Sequence, residues 1–443
     1  MNDYTGAHPH TPAGGGDYVS HPHGRPLTIT SLTATQILDS RGYPTVEVAL
    51  TFGESTVVAS SPSGASTGAH EAVERRDGGH PFSGRGVRDA VAAVNTDIAA
   101  RLVGTAFDRL EDIDQAMKEL DGTPGLGRLG ANAVVAVSMA ATRALAELHE
   151  VPLYRYLADL TGSAPTLPVP HFNVINGGAH APGGLAFQEF MIAPVSAANE
   201  DHAVQIGAEI YHVLADEIRA RYGVTGLGDE GGFAPPIDDP AEALTLLVNA
   251  ISTAGYTPGH DQIAIAMDPA ANGFLTPDGY RIGSRVLTRE QLADYYVELV
   301  NAFPIRSIED GFAETDPTGW QLLAERLGDR MQLVGDDLYV TDPARIRDGA
   351  RNGYSNAALI KPNQIGTVTD TLAAIGAARS EGMACMISHR SGETLDTFIA
   401  DLAVGTGVGQ IKSGAPARGE RIAKYNRLVA IETAAPATPY GLR

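Results

Sequence analysis

The sequence predicts an α/β protein in two parts, a smaller α+β domain followed by a β/α barrel. Three observations carry this reading. At 443 residues the chain is long for one ordinary core. Up to about residue 150 strand-like alternation comes first and helices follow, whereas beyond residue 165 short β-rich runs alternate with amphipathic helical ones. That alternation implies a parallel sheet, and so many units imply closure into a barrel.

Residues 1–26 are rich in Gly, Pro and His, including "HPHT" and "HPHG", and are expected to form a disordered tail rather than a metal-binding tract. From Leu27 the runs "LTITSLTATQIL", "TVEVALTF" and "STVVAS" alternate like strands, and "DSRGYP" makes the turn between the first two. Helices are expected near 86–103, 107–120 and 130–148, the last apolar all round as in a tightly packed helix. These elements form an α+β domain over 27–150. The barrel domain is set at 151–435, with 436–443 as a tail. Its runs "QIAIAMD", "IRSIED", "MQLVGDD", "AALIK", "MACMISH" and "GQIKSGAP" alternate with helices near 289–302, 317–327, 343–350 and 367–380.

The apolar and charged contents, 43% and 19%, are those of a globular protein with material for a sizeable core. The net charge of −21 argues against nucleic acid or an anionic membrane as a partner, so a small anionic substrate needs a local cationic pocket. The lone Cys385 excludes an intramolecular disulfide and fits a reducing compartment. No apolar run reaches a membrane span, and no basic-then-apolar signal layout opens the chain; the cytoplasm is the expected location.

Each barrel strand ends in a polar residue: Asp268, Glu309, Asp336, Lys361, His389 and Lys412, spaced about one βα unit apart. In a barrel these side chains converge on the C-terminal mouth. Asp268, Glu309 and Asp336 make an oxygen-only set, for which magnesium is the natural ion. Either lysine could serve only as an ion-pair partner to those acids. In the sharper reading Lys361 is expected to have a lowered pKa beside a divalent cation and a second ammonium, making it a usable base, while Lys412 stays charged and holds an anion.

"GLGDEGGFAPP" carries Asp229 and Glu230, and "NGGAHAPGGLAFQEF" carries His180, Gln188 and Glu189. Glu230 is a candidate general acid, hydrogen-bonded or water-linked to Glu189 so that one proton is retained. "SPSGASTGAHE" lacks the spacing of a nucleotide-binding loop and reads as a lid, with Ser66 able to ligate a metal and His70 nearby. In "SHRSGET", Arg390 and Ser391 suit phosphate oxygens.

With these motifs in place, the sequence resembles the enolases from about Ile29 to Ile431. The resemblance rests on "ILDSRGYPTVEV", "PSGASTG", "LGANA", "FNVINGGAHA", "QEFMIAP", "GDEGGFAP", "SIED", "VGDD", "KPNQIG", "SHRSGET" and "QIKSGAPARGERIAKYN". It implies an enolase-type barrel with its capping domain, and reversible dehydration of 2-phosphoglycerate to phosphoenolpyruvate. It further implies that Lys361 removes the C2 proton, that Glu230 protonates the leaving C3 hydroxyl with Glu189 assisting, and that Asp268, Glu309 and Asp336 hold a first Mg2+. Ser66 matches the ligand of a second Mg2+. His180, His389, Arg390, Ser391 and Lys412 match substrate-holding positions, and a homodimer or larger assembly is expected.

Three departures lie beside the inferred site. Asn272-Gly273 stands where enolases usually have Ser-Glu, Gly311 stands where a proline is usual, and Pro182-Gly183-Gly184 replaces a more polar stretch. They leave open a second reading, an enolase homologue of phosphonate biosynthesis resembling carboxyphosphonoenolpyruvate synthase and acting on a phosphonoformate-derived substrate. A third, a non-catalytic scaffold, is opposed by retention of every acid, base and metal position, since converging charge is costly.

Overall fold

The computed structural model describes residues 25–65, 68–223 and 226–442. The His-rich stretch 1–24 and the predicted metal ligand Ser66 lie outside the described residues.

In the first domain Ser31–Leu38, Pro44–Phe52 and Ser55–Ser60 pair antiparallel in chain order. Val46, Val48 and Leu50 alternate onto one buried face, the period-two signature of a half-covered sheet. The helix Ala131–Leu148 packs on that face. It has the length and apolarity of a membrane span, but most of it is buried inside the fold. The helix expected over 86–103 is Arg88–Ala93 and Ala99–Leu102 joined through a wider turn at Val94–Ile98, and the next runs from Leu110 to Asp121.

Eight strands close the barrel. Six follow the expected parallel order, namely Ile263–Asp268, Ile305–Glu309, Gln332–Gly335, Ala357–Ile360, Ala384–Ser388 and Gln410–Lys412. Val169–Asn176 and Glu189–Pro194 complete the circle, and the second of these is antiparallel to both its neighbours. A wholly parallel sheet is therefore not what forms. The reason lies in the connection "GGAHAPGGLAFQ", which holds only the short turn Gly178–His180 and no helix long enough for a crossover, so the chain returns as in a hairpin. The reversal has a functional consequence: the first residue of this strand, Glu189, lies at the barrel mouth, paired with Asn176 on one side and Asp268 on the other.

Two segments differ from expectation. A small antiparallel sheet, Leu275–Thr276, Gly279–Ile282 and Arg285–Leu287, fills the stretch after Asp268. Residues 436–442 close the barrel floor: Leu167 N donates to Pro439 O at 2.8 Å and Tyr440 Oη to Pro194 O at 2.8 Å. Tyr440 and Leu442 cover Val169, Ala193 and Ala264, which face inward from three adjacent strands. This packing supplies the apolar contact that a free tail would lack.

Candidate active site

The strand ends converge as their spacing predicts. Asp268, Glu309 and Lys412 are the last residues of their strands, and Asp336, Lys361 and His389 follow theirs by one. Lys412 Nζ lies 2.8 Å from Glu309, 3.2 Å from Glu189 Oε2 and 3.6 Å from Asp268 Oδ2. Lys361 Nζ lies 2.5 Å from Asp336 Oδ2. All six side chains are buried, so each charge depends on its partners for the solvation it has lost.

The titration directions follow from that geometry. Burial, then the neighbouring Glu309, pushes Asp268 well above the usual carboxylate range. Burial likewise pushes Glu309 up to about 7 against the pull of Lys412. Burial would also raise Asp336, but Lys361 and Lys412 hold it below its ordinary value. For Lys361, burial and the cations Arg390 and Lys412 oppose the charge, and Asp336 outweighs them. With Asp336 as its partner, its pKa therefore stands above the ordinary lysine value; the expected lowering belongs to a site that holds a divalent cation. The sequence reading of a mouth lysine as an ion-pair partner to those acids is the arrangement seen at Lys361 and Asp336.

Opposite the lysines lies a second cluster. Glu230 Oε2 accepts from His389 Nε2 at 3.0 Å and from Asn173 Nδ2 at 2.9 Å. His389 Nδ1 faces Arg421 Nη1 at 2.6 Å. A guanidinium only donates, so Nδ1 carries the lone pair and Nε2 the hydrogen. The buried Arg421 also donates to the carbonyls of Arg390 and Ser391, both at 2.6 Å, and of Asp229 at 3.1 Å. His180 Nδ1 stands 3.7 Å from Glu189 and 3.6 Å from Glu230, without a hydrogen-bond partner, and burial lowers its pKa. The imidazole thus lies within reach of both carboxyls expected to share a proton.

The two carboxyls expected to retain one proton are pushed in opposite directions. Burial opposes ionisation of Glu230, but His389, His180 and Arg421 hold it well below the usual range. Burial and the charge of Glu230 push Glu189 up to about 7. Of the two carboxyls, Glu189 is the one pushed toward its protonated form.

At the remaining side Arg390 and Ser391 meet the first domain. Ser391 Oγ accepts from Ala65 N at 2.6 Å and from Arg41 Nη1 at 3.3 Å. Arg390 is bound in a two-pronged pair by Glu71. His180, Glu189, Glu230, Asp268, Lys361, His389, Arg390, Ser391 and Lys412 line one polar pocket together with Gln188 and Ser388. Glu309 and Asp336 stand behind its two lysines. His70 is exposed.

Sequence reasoning assigned no role to Arg421, Asn173, Gln364 or Glu71. All four sit inside the quoted motifs, among other polar residues that give no sign of which will be buried. Gln364 donates to Asp336 Oδ1 at 2.9 Å, and Thr341 Oγ1 donates to Gln364 Oε1 at 2.7 Å while accepting from Lys361 N at 2.9 Å.

The donor set suits a hard divalent cation. Asp268, Glu309, Asp336 and Glu189 bring four carboxylates to two lysines, all with oxygen donors and little water to screen their repulsion. Among the described residues, the tight groups of three possible ligands are His180, Glu189 and Glu230, and Asp310, Asp336 and Asp337. The predicted trio is not one of these, because its members are drawn to the two ammonium groups instead. Asp310 serves the backbone, accepting from the N–H groups of Asp336 and Asp337, both at 2.9 Å.

An α+β domain set against a closed barrel, with acids and lysines buried at the mouth, defines a capped barrel of the acid-and-lysine class. Comparison with protein families gives the particular one. The model for "Enolase, N-terminal domain" matches residues 29–157 and that for "Enolase, C-terminal TIM barrel domain" matches residues 164–440; the chain belongs to the enolase family. Members are generally lyases or related catalysts, and their domains generally bind Mg2+.

Proposed function

We propose that this protein is a Mg2+-dependent carbon–oxygen lyase of the phosphopyruvate hydratase type, which reversibly dehydrates 2-phosphoglycerate to phosphoenolpyruvate. The observation that carries the reading is the placement of Lys361 and the Glu189–Glu230 pair in one buried pocket with the cationic groups Arg390 and Lys412. Abstraction of a proton next to a carboxylate needs a base on one side, an acid on the other, and positive charge around the anion.

In this reading Lys361 parts from Asp336 and, once neutral, takes the C2 proton. The Glu189–Glu230 pair, with His180 in reach of both, delivers a proton to the leaving C3 hydroxyl. Lys412 offsets the second negative charge that develops on the substrate carboxylate. His389, Arg390 and Ser391 hold the phosphoryl end. Asp268, Glu309 and Asp336 would hold one Mg2+ and Ser66 would meet a second; such ions, when bound, supply further charge neutralisation at the carboxylate.

The test is to mix the purified protein with 2-phosphoglycerate and Mg2+ and follow the ultraviolet absorbance of the enol product. Absence of turnover together with consumption of phosphonoformate, or an activated form of it, would overturn the assignment.

That second outcome defines the alternative, phosphonate-pathway reading, which the departures at Asn272-Gly273, Gly311 and Pro182-Gly183-Gly184 motivate. A Cβ at Gly311 would lie 2.8 Å from Leu323 Cδ2 and 3.2 Å from Ile308 Cγ2, so the packing beside Glu309 is built around the departure from the usual proline. Asn272 adds a clamp of its own, donating to Asp337 Oδ2 at 2.8 Å and accepting from Glu314 N at 3.0 Å.

Two further parts of the proposal are a homodimer and a cytoplasmic location. Exposed Leu38, Val58 and Leu395 around one hollow support the first, to be measured as solution mass. The single buried cysteine supports the second, to be measured by fractionating cells.

A further inference from the structure

The segment that follows "SPSGAST" brings to the mouth a carboxylate that the reaction as proposed leaves without a role. Glu71 meets Arg390 in a two-pronged ion pair, Oε2 to Nη1 at 2.9 Å and Oε1 to Nη2 at 3.0 Å. The two side chains are only 9% and 3% exposed. Glu71 Oε1 also accepts from Gly68 N at 3.1 Å and from Gln364 Nε2 at 3.4 Å. Gln364 in turn donates to Asp336, and its carbonyl accepts from Ala72 N at 2.7 Å. Gly68 approaches the barrel so closely that a Cβ there would lie 2.6 Å from Val340 Cγ1.

We propose that Glu71 is a positioning residue: it fixes the Arg390 guanidinium for capture of the substrate's anionic group, and through the same carboxylate fastens residues 68–74 to the barrel mouth. The inference rests on the reading of Arg390 as the anion-binding group. A two-pronged pair sets the plane of the guanidinium as well as its place. An arginine left to rotate would lose that freedom each time an anion binds, whereas one already held loses little. Against this stands the like charge that Glu71 presents to an incoming phosphoryl group. Its hydrogen bonds to Gly68 N and Gln364 keep the carboxylate in place independently of Arg390, so it acts as a fixed brace rather than as a competitor that swings aside.

The experiment uses the full chain and inorganic phosphate as the probe. Phosphate affinity is measured by calorimetry for the wild type, Glu71→Gln, Arg390→Lys and the double variant, with hydrogen exchange of residues 68–74 followed in parallel and thermal midpoints confirming folding. Glu71→Gln is expected to weaken phosphate binding about tenfold, to speed exchange in 68–74, and to have no further effect on phosphate in the Arg390→Lys background. Affinity that is unchanged or tighter in Glu71→Gln, or an equal loss in both backgrounds, would overturn the proposal. If Arg390→Lys leaves phosphate binding untouched, the assignment of Arg390 to the anion fails and takes this inference with it. If Arg390→Lys weakens binding and Glu71→Gln does not, the inference alone fails.

Discussion

His389 donates from Nε2 to Glu230 because its other ring nitrogen accepts from Arg421, at 3.0 Å and 2.6 Å respectively. Burial pushes the His389 pKa down to about 4, so the ring is neutral at pH 7 and its tautomer is set by the arginine. Nitrogen-15 NMR of labelled histidine at pH 7 is expected to show the hydrogen on Nε2. A hydrogen on Nδ1 would mean that Arg421 does not govern the ring. Arg421→Met removes the donor to three buried carbonyls as well, and is expected to cost about 3 kcal/mol or more in a denaturant titration.

Lys361→Ala should separate proton abstraction from binding. If Lys361 is the base, exchange of the C2 proton of 2-phosphoglycerate with solvent deuterium falls by at least about a hundredfold. Substrate affinity stays within a few-fold, since Arg390, Ser391, His389 and Lys412 remain. Exchange persisting near the wild-type rate would show that another group takes the proton.

Much of this site is legible in the sequence because its logic is one-dimensional. An apolar run ending in a charged residue, as at Asp268, Glu309 and Lys412, needs only strand periodicity to place that charge at a barrel rim. Glu189 escapes the same logic because it opens a strand instead of ending one. Only the hairpin-like return from Asn176 brings it to the mouth. Arg421 lies within the helix Gly419–Ala434, where an arginine ordinarily faces solvent; its burial depends on the approach of the Arg390 and Ser391 carbonyls from another element. The titration directions of Lys361 and Glu230 are least legible of all, since they depend on side-chain contacts of 2.5 Å to Asp336 and 3.0 Å to His389 between separate elements.

The repulsion among the mouth acids predicts a response to metal that does not depend on turnover. Titrating Mg2+ into metal-stripped protein should raise the unfolding midpoint, by about 2.7 kcal/mol of added stability at a hundred times the dissociation constant. Asp268→Asn combined with Glu309→Gln should abolish the increment, and the metal-free midpoint should fall as well, because the buried Lys412 loses two of its three carboxylate partners. An equal Mg2+ shift in variant and wild type would place the ion elsewhere.

Asp114 links the two domains and gives stability a pH dependence of definite sign. Its Oδ2 accepts from Thr369 N at 3.1 Å and Thr369 Oγ1 at 2.7 Å, while Oδ1 is buried without a partner. Burial pushes its pKa from 3.8 up to about 6 despite those hydrogen bonds. Between these values the folded state binds more protons than the unfolded state, so this group's contribution is fully present below pH 3.8 and is lost as pH rises through 6. Asn in its place keeps an acceptor for Thr369 and carries no charge. The stability of Asp114→Asn relative to wild type is therefore expected to be near zero at pH 3.5 and to grow to about 3 kcal/mol by pH 7. Taking the difference between the two curves removes the opposing slope of His171, whose pKa burial lowers to about 4. A difference that stays flat between pH 3.5 and 7, or that favours the wild type as pH rises, would mean that Asp114 ionises at no cost where helix Leu110–Asp121 meets helix Val368–Ser380.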